Sequence, residues 1–234
     1  MRFLLTNDDG IDAPGLAALA EAAREFGEIV VVAPLEALSG CSHQVSAHRP
    51  LRATTRGEDR YAVDGTPADC TRIGLLHLAP DADWVISGVN DGGNLGVDVF
   101  MSGTVAAVRE AAWMGKPGIA LSQYRDRRGE RPRTDWTSTV ADARRVLERL
   151  LDRPPRKGGF WNVNFPDVEP YAGPAEIVEA PLEHGHLPVQ FELDGDLYRY
   201  SGRYRDRPRA EGTDVDVCFS GRIAVTQVLP PESV

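Results

Sequence analysis

A chain of 234 residues with 42% hydrophobic and 26% charged residues has the balance of an ordinary folded protein, with room for a sizeable core in one domain or one domain plus an arm. Its net charge of -9 and sequence pI near 5.1 exclude a general affinity for nucleic acid or an anionic membrane, though not a small local anion site. Cys41, Cys70 and Cys218 lie far apart without a C-x-x-C pair, no basic-then-apolar leader opens the chain, and no apolar run approaches a membrane span, so a reduced, cytoplasmic protein is expected.

"RFLLT" (2–6) reads as a short apolar strand. "PGLAALAEAAREFG" (14–27) reads as a helix, with Pro14 near its start, Leu16, Leu19 and Ala20 at helical spacing, and Gly27 as a stop. "EIVVVAP" (28–34) is a β-branched buried strand, which completes a βαβ unit and implies a parallel sheet. The alternation continues with a helix at 67–78, a strand at 83–88, a helix at 103–115 closed by Gly115, and a strand at 116–122. A long amphipathic helix over 134–152 has Thr134 or Asp135 as its cap and Val140, Ala143, Val146, Leu147 and Leu150 on its apolar face. The expected fold is α/β: a Rossmann-like open, mostly parallel sheet with helices on both faces, spanning residues 1–165 and carrying the active site.

Prolines and glycines thicken after "FWNVNFP" (160–166). "LPVQFELDGDLYRYSG" (187–202) alternates around a "DGD" turn and predicts a hairpin, and "GRIAVTQVLPP" (221–231) predicts a late strand. Residues 166–234 are therefore expected to form a β-rich extension, with a projecting hairpin as an oligomerisation arm and a strand returning to the core.

In open α/β sheets ligands bind outside the carboxyl ends of the strands. Three polar clusters sit on such loops: "NDDG" (7–10), "PLEALSG" (34–40) and "SGVNDGGNLG" (87–96). Asp8 and Asp9 are adjacent carboxylates, and like charges side by side call for a cation, a shared proton or ample water. Gly88, Gly92, Gly93, Gly96 and Gly103 let backbone approach a ligand, and Ser102, Gly103 and Thr104 form the amino end of a helix, a ready anion site. His43 reads as a plain loop histidine in preference to a leaving-group acid, and His184 and His186 read as solvated in preference to metal-bound. The basic runs "RDRRGERPR" (125–133) and "RYRDRPR" (203–209) read first as solvated loops and second as a phosphate-steering or interface feature.

"LLTNDDG" (4–10), "YAVDGTPADC" (61–70), "ISGVNDGGNLG" (86–96), "SGTVAAVREA" (102–111), "NVNFP" (162–166), "GTDVD" (212–216) and "IAVTQ" (223–227) together resemble the survival protein E (SurE) family of metal-dependent 5'/3'-nucleotidases. The resemblance implies a Rossmann-like core, a β-arm exchanged between subunits of a homodimer or homotetramer, and hydrolysis of nucleoside monophosphates. It also implies one divalent metal ion per subunit, Mg²⁺ or Mn²⁺, held by Asp8, Asp9, Ser39 and Asn90. Asn94, Ser102, Gly103 and Thr104 then bind the phosphate, and Asp8, Asp9 and Asn94 are catalytic. Two carboxylates, a hydroxyl and an amide oxygen are hard donors that suit such an ion. The chain departs from the family pattern at Met101, where a tyrosine is common, at Gln227, where proline is common, and in "PLEALSG", which lacks an arginine-rich lead into Ser39. The expected reaction is attack of metal-activated water on the ester. The alternatives are a phosphatase of the same kind acting on a non-nucleotide ester, a phospho-aspartate enzyme, which usually has D-x-D spacing, and a non-catalytic nucleotide-binding module.

Overall fold

In a computed structural model, residues 1–125, 135–167 and 173–230 are described. Strand β1 (Arg2–Thr6), helix α1 (Pro14–Ala23) and strand β2 (Glu28–Pro34) form the anticipated βαβ start of a parallel sheet, with Leu4 in register with Val30. Pro14 opens α1 as expected, but the helix ends before Gly27. A side chain at Gly27 would collide with the Met1 carbonyl, so that glycine serves a close backbone approach and not a helix stop.

An edge pair that the sequence reading did not anticipate follows: β3 (Ala53–Gly57) and β4 (Arg60–Val63), antiparallel to each other, with β4 parallel to β2. Helix α2 (Pro67–Ile73) starts in a reciprocal capping box between Thr66 and Asp69 and runs on into a wider turn over Gly74–Leu78. Then come β5 (Trp84–Asp91), α3 (Gly103–Trp113), β6 (Gly118–Gln123), α4 (Thr137–Leu150) and β7 (Phe160–Phe165). Asp135 accepts the Thr137 amide at 2.9 Å at the start of α4; Thr134 lies outside the described residues.

The extension supplies β8 (Ile177–Glu179), a separate antiparallel hairpin of β9 (Phe191–Asp194) and β10 (Leu197–Tyr200), helix α5 (Asp214–Phe219) and β11 (Ile223–Val228). The nine-stranded sheet has the order β3-β4-β2-β1-β5-β6-β7-β11-β8, with β11 antiparallel to β7 and parallel to β8. The fold is thus the expected open, mostly parallel α/β sheet, widened by an antiparallel hairpin at one edge and by the extension at the other.

Alternation along each strand divides the core between two faces. Phe3, Leu5, Ile86 and Leu121 pack with Leu19 of α1 and Leu147 of α4, while Leu4, Val30, Val85 and Ala120 pack with Cys70 of α2 and Val105 and Val108 of α3. A third cluster joins Leu95 and Tyr124 of the core to Val215 and Cys218 of α5, which seats the extension against the loop after β5. The chain leaves β1 toward β2 on one side and reaches β5 on the other, so strand order reverses between β1 and β5. The crevice at that reversal is where loops diverge and a ligand can enter.

Candidate active site

The turn after β1 is closed by Asn7, whose amide donates to the Gly10 carbonyl at 2.9 Å, and Gly10 takes a positive φ of 98°. This places Asp8 inward, at 5% exposure, and leaves Asp9 more open. The Asp8 carbonyl accepts the Leu38 amide at 2.7 Å, which draws the loop after β2, with Ser39, to the same edge. From the other side, the Asp91 amide donates to Asp9 Oδ2 at 3.2 Å. Next to it, the Asn90 side-chain NH₂ donates to the Gly92 carbonyl at 2.8 Å. Asp8, Asp9, Ser39, Asn90, Asn94 and Ser102 all line one cleft of about 550 Å³.

Gly103 and Thr104 lie behind Asp8 and not in the lining. A side chain at Gly103 would stand 2.9 Å from Asp8 Cβ and 2.8 Å from Cys41 Sγ, so only glycine lets the start of α3 approach so closely. Thr104 is fully buried and its hydroxyl donates to Asp8 Oδ1. Its side chain therefore holds Asp8, while its backbone amide stands in the first turn of α3. Ser102 is the N-cap, its Oγ accepting the Val105 amide at 3.1 Å. Burial pushes the Asp8 carboxyl up from 3.8 to about 6; hydrogen bonds from Thr104 oppose the rise and the neighbouring Asp9 charge adds to it.

Asn94 is fixed by three residues that sequence reasoning did not single out. Its backbone amide donates to Asn164 Oδ1 at 2.7 Å, its carbonyl accepts from Asn162 and Asn164 at 2.9 and 3.0 Å, and its side-chain NH₂ donates to Ser122 Oγ at 2.8 Å. The available signal was polar alternation inside buried strand β7, where asparagine has no packing reason to be.

The extension builds the outer wall of the cleft with Leu187, Pro188, Tyr200, Arg203, Tyr204 and Arg207. Arg207 pairs with Asp98 at 2.7 Å, donates to the Leu95 carbonyl at 3.0 Å and stacks 3.6 Å over Tyr204, whose hydroxyl donates to Asp98 at 2.9 Å. Burial holds the Tyr204 phenol well above its usual value, so it stays a neutral donor. The run at 203–209 is therefore partly structural, with Arg207 only 7% exposed, and the first reading of it as a solvated loop does not hold there. Of the run at 125–133 only Arg125 lies within the described residues.

His43 turns away from the cleft to Glu110, 2.8 Å distant, and stacks on Trp113 at 4.7 Å. His184 and His186 are exposed. Among the described residues no three His, Cys, Asp or Glu side chains gather as a metal cluster, so any ion in this cleft needs the neutral oxygens of Ser39 and Asn90 beside the two carboxylates.

A model of the Survival protein SurE family matches residues 3–180. The chain belongs to the SurE family. It is 49% identical over 233 residues to the putative 5'-nucleotidase alr3139 of Synechocystis sp., covering 97% of this chain and 99% of that one. Identity to the 5'-nucleotidase SurE of Geobacter sulfurreducens is 40% over 234 residues, covering 97% of this chain and 87% of the relative. The crystal structure of the SurE protein from Aquifex aeolicus superposes with a TM-score of 0.86 at 30% identity, covering 100% of this chain and 95% of that one. The SurE family match spans β1 to β8 and so includes every residue placed at the ends of β1, β2 and β5 and at the start of α3.

Proposed function

We propose that this SurE-family protein is a metal-dependent phosphomonoesterase that hydrolyses nucleoside 5'- or 3'-monophosphates, with Asp8, Asp9, Ser39 and Asn90 holding one Mg²⁺ or Mn²⁺ per subunit. The observation that carries this reading is the convergence of those four oxygen donors, from the loops after β1 and β2 and from the end of β5, on one cleft at the sheet's reversal point. The donor set is hard, and the Asp8 carboxyl, raised to about 6 by burial, is driven toward its ionised form by a cation beside it. A bound divalent ion supplies Lewis-acid polarisation of the phosphoryl group and acidification of a water.

The chain's own residues do the rest. Thr104 orients Asp8, and the Asp91 amide orients Asp9. Ser102 accepts from Val105 through its oxygen and keeps its hydroxyl hydrogen for a phosphate oxygen. Asn94 spends one amide hydrogen on Ser122 and keeps the other for charge developing on the phosphoryl oxygens. The amides of the first turn of α3 add the positive end of the helix dipole. Consecutive aspartates, the first locked to Thr104, favour attack by water over a phospho-aspartate route.

A second reading, a small non-nucleotide phosphate ester, draws on Met101, which lines the cleft where the family pattern has a tyrosine. Purified protein assayed with Mg²⁺ or Mn²⁺ against nucleoside 5'- and 3'-monophosphates, sugar phosphates and p-nitrophenyl phosphate separates the two. Nucleoside monophosphates are expected to give the highest kcat/KM. A preference for another ester selects the second reading, and release of phosphate from none of them defeats both.

Residues 1–165 form the catalytic core in this proposal and 166–234 an extension that also assembles the protein. The hairpin exposes Phe191, Leu193, Leu197, Tyr198 and Tyr200, each more than half accessible, on an isolated two-stranded ribbon. Such a ribbon is marginal alone and needs a surface to cover, here that of a second subunit in a homodimer or homotetramer. Replacing Leu193 and Leu197 by glutamate is expected to give a folded monomer by light scattering at micromolar concentration; an unchanged oligomer would remove the arm from the assembly. No helix among the described residues is long and apolar enough to cross a membrane, and the three thiols are free, which supports a cytoplasmic site of action.

A further inference from the structure

A third carboxylate stands beside the aspartates of the β1 turn. Asp91, the last residue of β5, lines the same cleft, and its backbone amide is bonded to Asp9. Asp91 adds negative charge to a cleft that already carries Asp8, Asp9 and the Arg207-paired Asp98, and that charge opposes a phosphate dianion. Asp91 does not face the cleft uncompensated. Arg125, two residues past the end of β6, donates to its Oδ1 through Nε.

The arginine is the buried member of the pair, at 9% exposure against 48% for Asp91. Its guanidinium carbon lies 4.5 Å from the centroid of the Trp136 ring, at the start of α4. Trp136 is itself backed by α1, where a side chain at Gly15 would meet the indole at 3.0 Å. The arginine is thus braced from the helix layer and presses against the strand end, while Asp91 keeps its partly open position in the cleft. An exposed ion pair joining two strand ends would be worth little and would be free to splay. Here burial of the cation fixes its geometry and makes its charge effective at short range.

We infer that Arg125 is a positioning residue that neutralises Asp91 and holds it off the metal and the phosphate, so that a cleft lined by Asp8, Asp9, Asp91 and the Arg207-paired Asp98 accepts a divalent cation and a phosphate dianion together. The inference rests on the phosphomonoesterase reading for its purpose, but not for its test, which uses Mn²⁺ and inorganic phosphate and requires no turnover.

In the full-length protein, Arg125→Gln should bind Mn²⁺, followed by electron paramagnetic resonance titration, as tightly as wild type or more tightly. Inorganic phosphate, titrated calorimetrically into the Mn²⁺-loaded protein, should bind about tenfold more weakly, because Asp91 loses the buried Arg125 charge that faces it. With whichever ester is turned over, KM should rise about tenfold while kcat stays within about threefold. Arg125→Lys, which keeps the charge, and the double variant Arg125→Gln with Asp91→Asn, which removes both charges, should each restore phosphate affinity to within about threefold. A merely structural arginine predicts the opposite pattern: Mn²⁺ and phosphate weaken together, and the double variant recovers neither. That result, or unchanged phosphate binding in Arg125→Gln, would overturn the inference. A wild-type protein that binds both probes and cleaves no ester would instead refute the hydrolase reading and leave the comparison of variants intact.

Discussion

Asp8→Asn and Asp9→Asn are each expected to lower kcat/KM by at least ~10³-fold, the equivalent of about 4 kcal/mol of transition-state stabilisation. The two carboxylates are the only formal charges among the four proposed ligands, so each substitution removes half of the charge that holds the cation. Chelation with EDTA should abolish activity, and Mg²⁺ or Mn²⁺ should restore it. The fold should survive both treatments, because the strands that carry the site are packed on both faces. The pH dependence gives a separate check. Burial raises the Asp8 carboxyl from 3.8 in the unfolded chain to about 6 in the folded one. A raised carboxyl contributes stability that is fully present below 3.8 and is lost as pH rises through about 6, a loss of about 3 kcal/mol for the metal-free protein above neutrality. A cation favours the ionised form, so the gain in Tm on adding Mn²⁺ should be larger near pH 7.5 than near pH 5, and the difference should shrink in Asp8→Asn. Full activity in an Asp9→Asn variant, or in a preparation stripped of metal, would sink the mechanism as a whole.

Asp214→Ala is expected to be the most destabilising single change outside the hydrophobic core. This fully buried carboxylate accepts backbone amides of Gly96 at 2.7 Å, Glu183 at 2.8 Å and Val215 at 2.9 Å. Truncation leaves three buried N–H groups without an acceptor, at about 1–3 kcal/mol each, so a loss of about 3–5 kcal/mol is expected after relaxation. For a chain of this size that lowers Tm by roughly 10 °C, measurable by circular dichroism. The Gly96 bond also joins the start of α5 to the loop that carries Asn94, across 118 residues of sequence. Activity per folded molecule should therefore fall as well, by about tenfold, through looser placement of Asn94. Asp214→Asn keeps one acceptor oxygen and should lie between the two. A variant with wild-type Tm and kcat would mean that water replaces the carboxylate at no cost, and would detach α5 from the site.

The alternation of apolar strands and amphipathic helices from Arg2 to Phe165 was legible because each element buries a continuous or periodic apolar face, which local sequence records directly. The paired Asp8 and Asp9 and the glycine-rich stretch before α3 were legible for a related reason: adjacent like charges and clustered glycines are improbable without a local demand for charge or close approach. The edge hairpin of β3 and β4 was not. Strand β3 is exposed along its whole length and carries Thr54, Thr55 and Arg56 with no buried apolar face, so it leaves no periodic trace. The contact that the Thr104 side chain makes was not legible either. A hydroxyl at a helix start marks an anion site, but sequence does not say whether the anion is a ligand or the protein's own Asp8.

By itself, then, the sequence determined the kind of fold, the strand ends that would carry charge, and the hard-oxygen character of the candidate site, because burial periodicity and donor chemistry are properties of short stretches. Only the tertiary structure decided what holds that site in place. Asn94 is gripped by Ser122, Asn162 and Asn164, Asp91 is met by Arg125 braced on Trp136, and the loop after β5 is clasped by Asp214, Tyr204 and Arg207 from the far end of the chain. These are polar contacts between residues distant in sequence. Each partner alone is an ordinary side chain, and its meaning comes from the neighbour that sheet order and helix packing bring within hydrogen-bond distance.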